Sequence, residues 1–253
     1  MLLTVTENTA LTPQVYRMTL AGDTRTIVRP GQFVQLQVPG FYLRRPLSVY
    51  DWRAAEAGEV TLVYKTVGHG TEALAKLPVG VAVDALLGLG NGFDLNREPR
   101  AAAARHPLLI GGGIGSPPLY GLCKTLLAAG QQPTVILGFN NAAEIILRDA
   151  FAALGVRTLL STVDGSEGVR GFVTDAAATL AGAYDYVYTC GPEPMLKAVH
   201  ALCRTAGVGG QFSFEARMAC GFGACMGCSC QTTAGTKRIC KDGPVLLREE
   251  ILW

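Results

Sequence analysis

No stretch of this sequence stays apolar for the ~20 residues that a bilayer span requires, and no run of one charge sign marks a nucleic-acid or membrane-surface footprint. Net charge is only +2 over 253 residues. The opening MLLTVTENTALTP has no basic region followed by an apolar stretch, so it does not read as a secretory signal. Repeats and low-complexity tracts are missing too. These absences lead to the expectation of a cytoplasmic protein with no nucleic acid and no membrane among its partners. What remains is an ordinary globular composition, 49% apolar and 17% charged, with enough chain for two modest cores.

The first hundred residues read as β structure. VYRMTL (15–20), FVQLQV (33–38), EVTLVYKT (59–66) and VAVDALL (81–87) are short β-rich runs separated by turn formers such as Pro30-Gly31 and Pro39-Gly40. That spacing predicts a small antiparallel barrel or sandwich. The character changes at NREPRAAAARHP (96–107), taken as the connection between domains. Strand and helix patterns then alternate: strands at 107–111, 134–139, 157–162, 184–191 and 211–215, helices at 117–130, 142–154, 174–182 and 194–207. Repeated βα units predict a parallel sheet with helices on both faces. The expected division is a β-barrel domain at 1–98, an α/β domain at 99–212, and a small C-terminal cysteine segment at 213–253 that is too short and Gly-rich to own a core.

Five of the eight cysteines crowd into that last segment, four of them within RMACGFGACMGCSC (217–230). A reducing compartment disfavours disulfides. Structural zinc sites usually pair their ligands as two separated C-x2–4-C knuckles. Here Cys220, Cys225 and Cys228 fall as C-x4-C-x2-C and Cys240 follows alone, the plant-type [2Fe–2S] spacing. Gly221, Gly223 and Gly227 would let the loop turn sharply and leave backbone N–H groups free to face the sulfurs. Zinc remains the rival. Cys230 lies outside the pattern and reads as a small buried residue; Cys123 and Cys203 read as core packing.

Two signals point to nucleotides. PLLIGGGIGSPPLYGL is a strand, a glycine turn and a helix whose N-terminus, with Ser116 as cap and Pro117 in the first turn, could meet a phosphate. It departs from G-x-G-x-x-G and lacks an acidic partner about twenty residues on, so a plain βα turn is the alternative. In YLRRPLSVYDW, Arg45 and Ser48 could bind a diphosphate, and GHGT (68–71) offers a second anion-binding turn. A surface arginine pair and an ordinary turn are the bland readings. GFNNAAE, after the second strand of the α/β region, has no Arg or Lys to greet a 2′-phosphate, which leans toward NAD.

Taken in order, R-P-x-S, G-x-G-T, GGGIG and CGPEPML resemble the ferredoxin reductase family. EARMACGFGACMGCSC, with GNGF at 90–93 and DGP after Cys240, is similar to the electron-transfer subunits of NAD-dependent dihydroorotate dehydrogenases, over nearly the whole chain. The resemblance implies a barrel that binds FAD through Arg45, Pro46, Leu47, Ser48, Val63, Tyr64, Lys65, Gly70 and Thr71. It implies NAD facing Gly111, Gly112, Gly113, Gly115, Cys190, Gly191 and Pro192, with Cys190 near the nicotinamide, and a [2Fe–2S] cluster on Cys220, Cys225, Cys228 and Cys240. It also implies an FMN-containing dihydroorotate dehydrogenase catalytic subunit as partner, in a heterotetramer of two plus two, with no dihydroorotate site on this chain. Reductase subunits serving a hydrogenase, a ferredoxin-dependent transhydrogenase or an oxygenase are the rivals within the family, and a zinc-stabilised interaction module is the rival outside it. Three departures stand out: Lys65 where relatives often carry Arg, no proline before GNGF, and a short gap between Cys228 and Cys240.

Overall fold

The computed structural model describes residues 1–253. The first unit contains β1 (Leu2–Ala10), β2 (Val15–Gly22), β3 (Phe33–Leu36), β4 (Arg45–Arg53), β5 (Gly58–Lys65), the short helix α1 (His69–Ala75) and β6 (Ala82–Leu89). The strands close an antiparallel barrel in the order β1-β2-β5-β4-β3-β6. Alternation decides which side chains enter it: Leu3 and Val5 of β1, Met18 and Leu20 of β2, and Val34 and Leu36 of β3 form its core. On β3 the intervening Phe33 and Gln35 are also buried, so this strand is covered on both faces. β1 was not among the expected strands. Its threonines and Glu7 dilute the apolar count, yet Leu3 and Val5 keep the period of two.

The connection at 96–107 contains a helix, α2 (Pro99–Ala103). There follow β7 (Pro107–Gly112), α3 (Pro118–Ala128), β8 (Thr134–Phe139), α4 (Arg148–Ala153), β9 (Arg157–Thr162), β10 (Val169–Arg170), α5 (Val173–Ala178), β11 (Tyr186–Cys190), α6 (Glu193–Ala206) and β12 (Gly209–Ser213). The chain ends with the hairpin β13 (Ser229–Thr232) and β14 (Gly235–Arg238), then β15 (Val245–Leu247). The sheet order is β10-β9-β8-β7-β11-β12-β15, parallel throughout except for β15, which runs antiparallel to β12. The order reverses between β7 and β11, the place where open α/β sheets leave a crevice at their carboxyl ends. No helix is long and apolar enough to cross a membrane.

The helix expected over 142–154 is broken. A 3-10 turn at Ala142–Glu144 is capped by the Asn141 side chain, Leu147 takes φ 63°, and only then does α4 begin. Ile146 is buried in the sheet core, and turning it inward interrupts the helix. Ser116 does not cap α3: Pro117 holds that position, and the Ser116 hydroxyl is buried without a partner.

Barrel and sheet meet along α3. Tyr120 stacks on Tyr50 at 4.4 Å, and Lys124 forks onto Asp51 at 2.7 and 2.9 Å. A second tie joins the connection to the C-terminus. Arg97 donates to Val245 O and pairs with Glu250 at 2.9 Å, while Lys237 and the Leu247 N–H hold the same carboxylate. Burial opposes ionisation of Glu250, but Lys237, the Leu247 N–H and Arg97 prevail and hold it below its ordinary 4.5. A carboxylate depressed in the folded state stabilises above that value, and the gain is lost as pH falls through the folded one. Glu250→Gln should therefore cost about 1–3 kcal/mol at pH 7, with the gap to wild type closing below pH 4.5; urea melts at several pH values measure it.

Candidate functional site

Three features converge where the barrel meets the sheet. The first is a cleft in the barrel wall. β4 pairs with β3 from Arg45 to Ser48, then with β5 from Val49 to Arg53. β5 pairs with β4 only as far as Leu62, and continues along β2 through Val63, Tyr64 and Lys65. No ladder joins Arg45–Ser48 to Val63–Lys65, so their facing backbone edges line an opening. Tyr64 turns its ring into the barrel, where its hydroxyl donates to Asn8, so it offers the opening main chain only. The Arg45 guanidinium lies over Phe41 and against Gly70, where a Cβ would come within 2.2 Å of Arg45 Nε. Glycine there lets the arginine and the start of α1 share one place. Thr71 donates to Gly68 O and accepts from the Val67 N–H, so its hydroxyl shapes the turn from within.

The second feature is the sheet crevice. Gly115 packs on the end of β11, and a Cβ there would lie 2.5 Å from Cys190 O; one at Gly112 would meet Met195 Sδ at 2.5 Å. The GGGIG turn and the Cys190–Pro192 turn are thus in direct contact. Beside them opens a cavity of about 410 Å³, lined by Gly112, Gly113, Asn140, Ser161, Phe172 and Pro192 among others. Ser161 is 1% exposed, and its hydroxyl has no partner. Lys65 of the barrel and Gly113 of the sheet line a second, smaller cavity between the two units.

Cys190 is sealed, and burial pushes its thiol up to about 12, with Glu215 adding to the effect and Ser213 opposing it. Glu215 keeps solvent access but sits in a crowded groove whose desolvation raises its carboxyl. Sequence reasoning missed both Ser213 and Glu215. Ser213 ends β12, the last parallel strand, opposite Cys190 in the ladder, and Glu215 lies just beyond it, so only sheet order brings them beside Cys190.

The third feature is the cysteine loop. The Cys225 N–H donates to Cys220 Sγ at 3.5 Å, and the Cys240 N–H to Cys228 Sγ at 3.4 Å, which links the four cysteines as two pairs. No three Cys, His, Asp or Glu side chains converge on one metal position. Two pairs suit a two-iron cluster better than the single tetrahedron of zinc. Burial disfavours ionisation of Cys220, yet the N–H groups of Cys225, Phe222 and Ala224 bring its thiol down to about 6. Burial and the Cys228 and Cys220 sulfurs push Cys240 up to about 12. Cys228 and Cys240 are 4% and 2% exposed; Cys225 is open to solvent. Cys230 is half-buried on β13 opposite Lys237 and joins neither pair.

The outer face of β3 holds this loop. Phe33 packs in one cluster with Cys228, Ile239 and Cys240. The Gln35 side chain donates to Ala219 O, and its amide fills the space a Cβ at Gly221 would need. Asn91, in the GNGF stretch, donates to Asp242 O and Val245 O and accepts from the Val245 N–H. Arg238 also reaches the loop, donating to Gly223 O at 2.9 Å. Gln35 could have been noticed as the polar residue inside an apolar strand run, and Arg238 as the cation two residues before Cys240.

An antiparallel barrel that meets a parallel nucleotide-type sheet, with a five-cysteine segment on the seam, places the chain among the ferredoxin reductase-like oxidoreductases. Residues 109–201 match the oxidoreductase NAD-binding domain, and residues 215–252 match the iron–sulfur cluster binding domain of dihydroorotate dehydrogenase B. The chain is 39% identical to the dihydroorotate dehydrogenase B (NAD(+)) electron transfer subunit of Fusobacterium nucleatum, over 98% of this chain and 96% of that one. To the subunit of the same name from Bacillus velezensis it is 40% identical, over 98% and 97%. It belongs to the family of dihydroorotate dehydrogenase B electron transfer subunits. Among solved structures, an NADH-dependent reduced ferredoxin-NADP oxidoreductase studied for flavin-based electron bifurcation superposes with a TM-score of 0.87 at 29% identity, over 100% of this chain and 90% of that one. A ferredoxin NADP+ reductase from Neisseria gonorrhoeae, with bound FAD and NADP, shares the fold at a TM-score of 0.68 and 19% identity, over 82% and 91%.

Gly221 and Gly227 separate two roles for glycine in the loop. Gly221 has φ +76° and a Cβ there would lie 2.5 Å from the Gln35 amide, whereas one at Gly227 would find its nearest neighbour, Cys225 Sγ, at 3.6 Å. Gly221→Ala should cost about 1–2 kcal/mol in backbone strain alone and lower the iron and acid-labile sulfide bound per chain. Gly227→Ala should leave both unchanged.

Proposed function

We propose that this chain is the electron relay of a dihydroorotate dehydrogenase, passing electrons from the FMN of a catalytic partner through a [2Fe–2S] cluster and FAD to NAD+. A flavin exchanges two electrons as hydride with a nicotinamide, whereas a [2Fe–2S] cluster takes them singly. Cys220, Cys225, Cys228 and Cys240 would hold the cluster, the first receiving backbone N–H groups and the last two kept from water. Arg45 would fork onto the flavin diphosphate, with Pro46, Leu47 and Ser48 from β4, the main chain of Val63, Tyr64 and Lys65 from β5, and Gly70 and Thr71 forming the turn beneath. Gly111, Gly112, Gly113 and Gly115 would receive the NAD diphosphate against the start of α3, and Cys190, Gly191 and Pro192 would border the nicotinamide. The sealed Cys190 would act there as a neutral thiol. Dihydroorotate oxidation belongs to the partner, and a heterotetramer of two plus two is part of the proposal.

The observation that carries this reading is the double duty of β3. Its edge pairs with Arg45–Ser48, and its outer face supplies Phe33 and Gln35 to the cysteine loop. One four-residue strand therefore touches both proposed cofactor sites. The full-length likeness to the ferredoxin-NADP oxidoreductase favours one second reading, a relay for a ferredoxin-linked partner. Co-expression with an FMN-containing dihydroorotate dehydrogenase separates the two: the proposal expects a stable complex that reduces NAD+ with dihydroorotate, and failure to form it would leave the second reading.

Two substitutions test the site assignments. Cys225→Ser should abolish the cluster and dihydroorotate-driven NAD+ reduction, yet keep FAD and dye reduction by NADH. Gly70→Ala, by displacing Arg45, should do the reverse, lowering the flavin retained on purification while the cluster's absorbance persists.

A further inference from the structure

The proposed cluster segment is ringed by cations, and one of them differs from the rest. Lys237 is committed to Glu250. Lys241 and Arg217 are exposed, Lys241 laying its stem against Gly223. Arg238, at the end of β14, is only 27% exposed, and every nitrogen of its guanidinium is used. Nε donates to Asp242 Oδ2 at 3.0 Å and Nη2 to Asp242 Oδ1 at 3.2 Å, a two-pronged fork. The third, Nη1, donates to Gly223 O at 2.9 Å. The Arg238 backbone closes the arrangement: its N–H donates to Asp242, and its carbonyl accepts from Lys241, Asp242 and Gly243. That turn carries Cys240, while Gly223 belongs to the loop between Cys220 and Cys225. The guanidinium is thus pinned across both arms that supply the sulfurs.

We propose that Arg238 is a positioning residue that raises the reduction potential of the cluster, with Asp242 holding it in place and partly offsetting its charge. The inference rests on the reading that Cys220, Cys225, Cys228 and Cys240 hold a [2Fe–2S] cluster. Each electron taken up makes such a group more negative by one charge. A cation fixed nearby favours the reduced form, and more so where water is excluded, as it is around Cys228 and Cys240. An arginine suits the task because it stays charged at every working pH and its planar fork can serve a carboxylate and a carbonyl together. Lys241 carries the same charge into solvent, where screening removes most of its influence.

The test is a redox titration of the purified holoprotein, followed by the EPR signal of the reduced cluster. Arg238→Gln should lower the midpoint by about the equivalent of a tenfold change in the oxidised-to-reduced ratio, which is about 59 mV for one electron. Asp242→Asn should raise it, Arg238→Lys should stay near wild type, and Lys241→Gln should shift it least. Loosening the turn would drive Arg238→Gln and Asp242→Asn the same way, so opposite shifts distinguish charge from scaffolding. Should Arg238→Gln fail to load the cluster, Asp242→Asn and Arg238→Lys decide: an unmoved or lowered Asp242→Asn midpoint overturns the proposal. Wild-type protein with no [2Fe–2S] signal would defeat the cluster reading itself; normal signals with unmoved midpoints would defeat only the role of Arg238.

Discussion

The packing of the cysteine segment onto the outer face of β3 is the contact on which the rest of the arrangement depends. The segment is too short to bury a core, and its hairpin of β13 and β14 forms a sheet of only two strands. Its order is borrowed from other layers. Phe33 joins Cys228 and Cys240 in one buried cluster, Gln35 fills the turn at Gly221, and β15 carries the chain back to pair with β12. Asn91 then ties the barrel's exit strand to the turn after Cys240. Loss of any of these contacts would expose apolar surface and free backbone groups that the segment cannot satisfy alone.

The same seam sets the distance between the two nucleotide-type openings. In the barrel, the wall opens because β4 changes partners partway along, leaving β3 for β5. In the sheet, the opening lies where strand order reverses between β7 and β11. α3 starts at that reversal and packs its flank on β4, with the Tyr50–Tyr120 stack and the Lys124–Asp51 fork fixing the contact. Gly121 permits the approach, since a Cβ there would lie 2.8 Å from the Trp52 ring. The two openings are therefore held at a fixed separation by side chains that line neither.

Much of this was legible in sequence because it follows from period and spacing. TVILGF coincides with β8 from end to end, since a buried parallel strand reads as a nearly continuous apolar run, and RTLLST coincides with β9 through its leucine pair flanked by β-branched threonines. The grouping of Cys220, Cys225 and Cys228 was legible because all three lie in one loop. What was not legible depends on tertiary choice. The helix over 142–154 breaks because burying Ile146 outweighs local helix propensity. Ser116 looked like a cap, but Pro117 takes that place and the serine turns inward beside Gly111. Ser213, Glu215 and Gln35 matter through partners far along the chain, and no local pattern could have named those partners; Arg238 pairs locally with Asp242, but its bond to Gly223 O comes from the folded loop.

A relay must be rigid at one end and reachable at the other, and the cysteine loop has that asymmetry. At its base, Cys228 and Cys240 are buried in one apolar cluster with Phe33 and Ile239. At its tip, Cys225 is exposed between Phe222 and Met226, themselves 56% and 53% exposed. The tip is held in unusual backbone conformations, with Gly221 at φ 76°, Gly223 at 90° and Met226 at 59°. A left-handed methionine is costly and persists only where its surroundings impose it. Here the Ser229 hydroxyl and N–H both bond back to Met226 O, Arg238 fixes Gly223 O, and the Gln35 amide packs against Gly221. The strained turn presents one sulfur outward while the base stays dry, which is the combination of access and shelter that the proposed cluster would require.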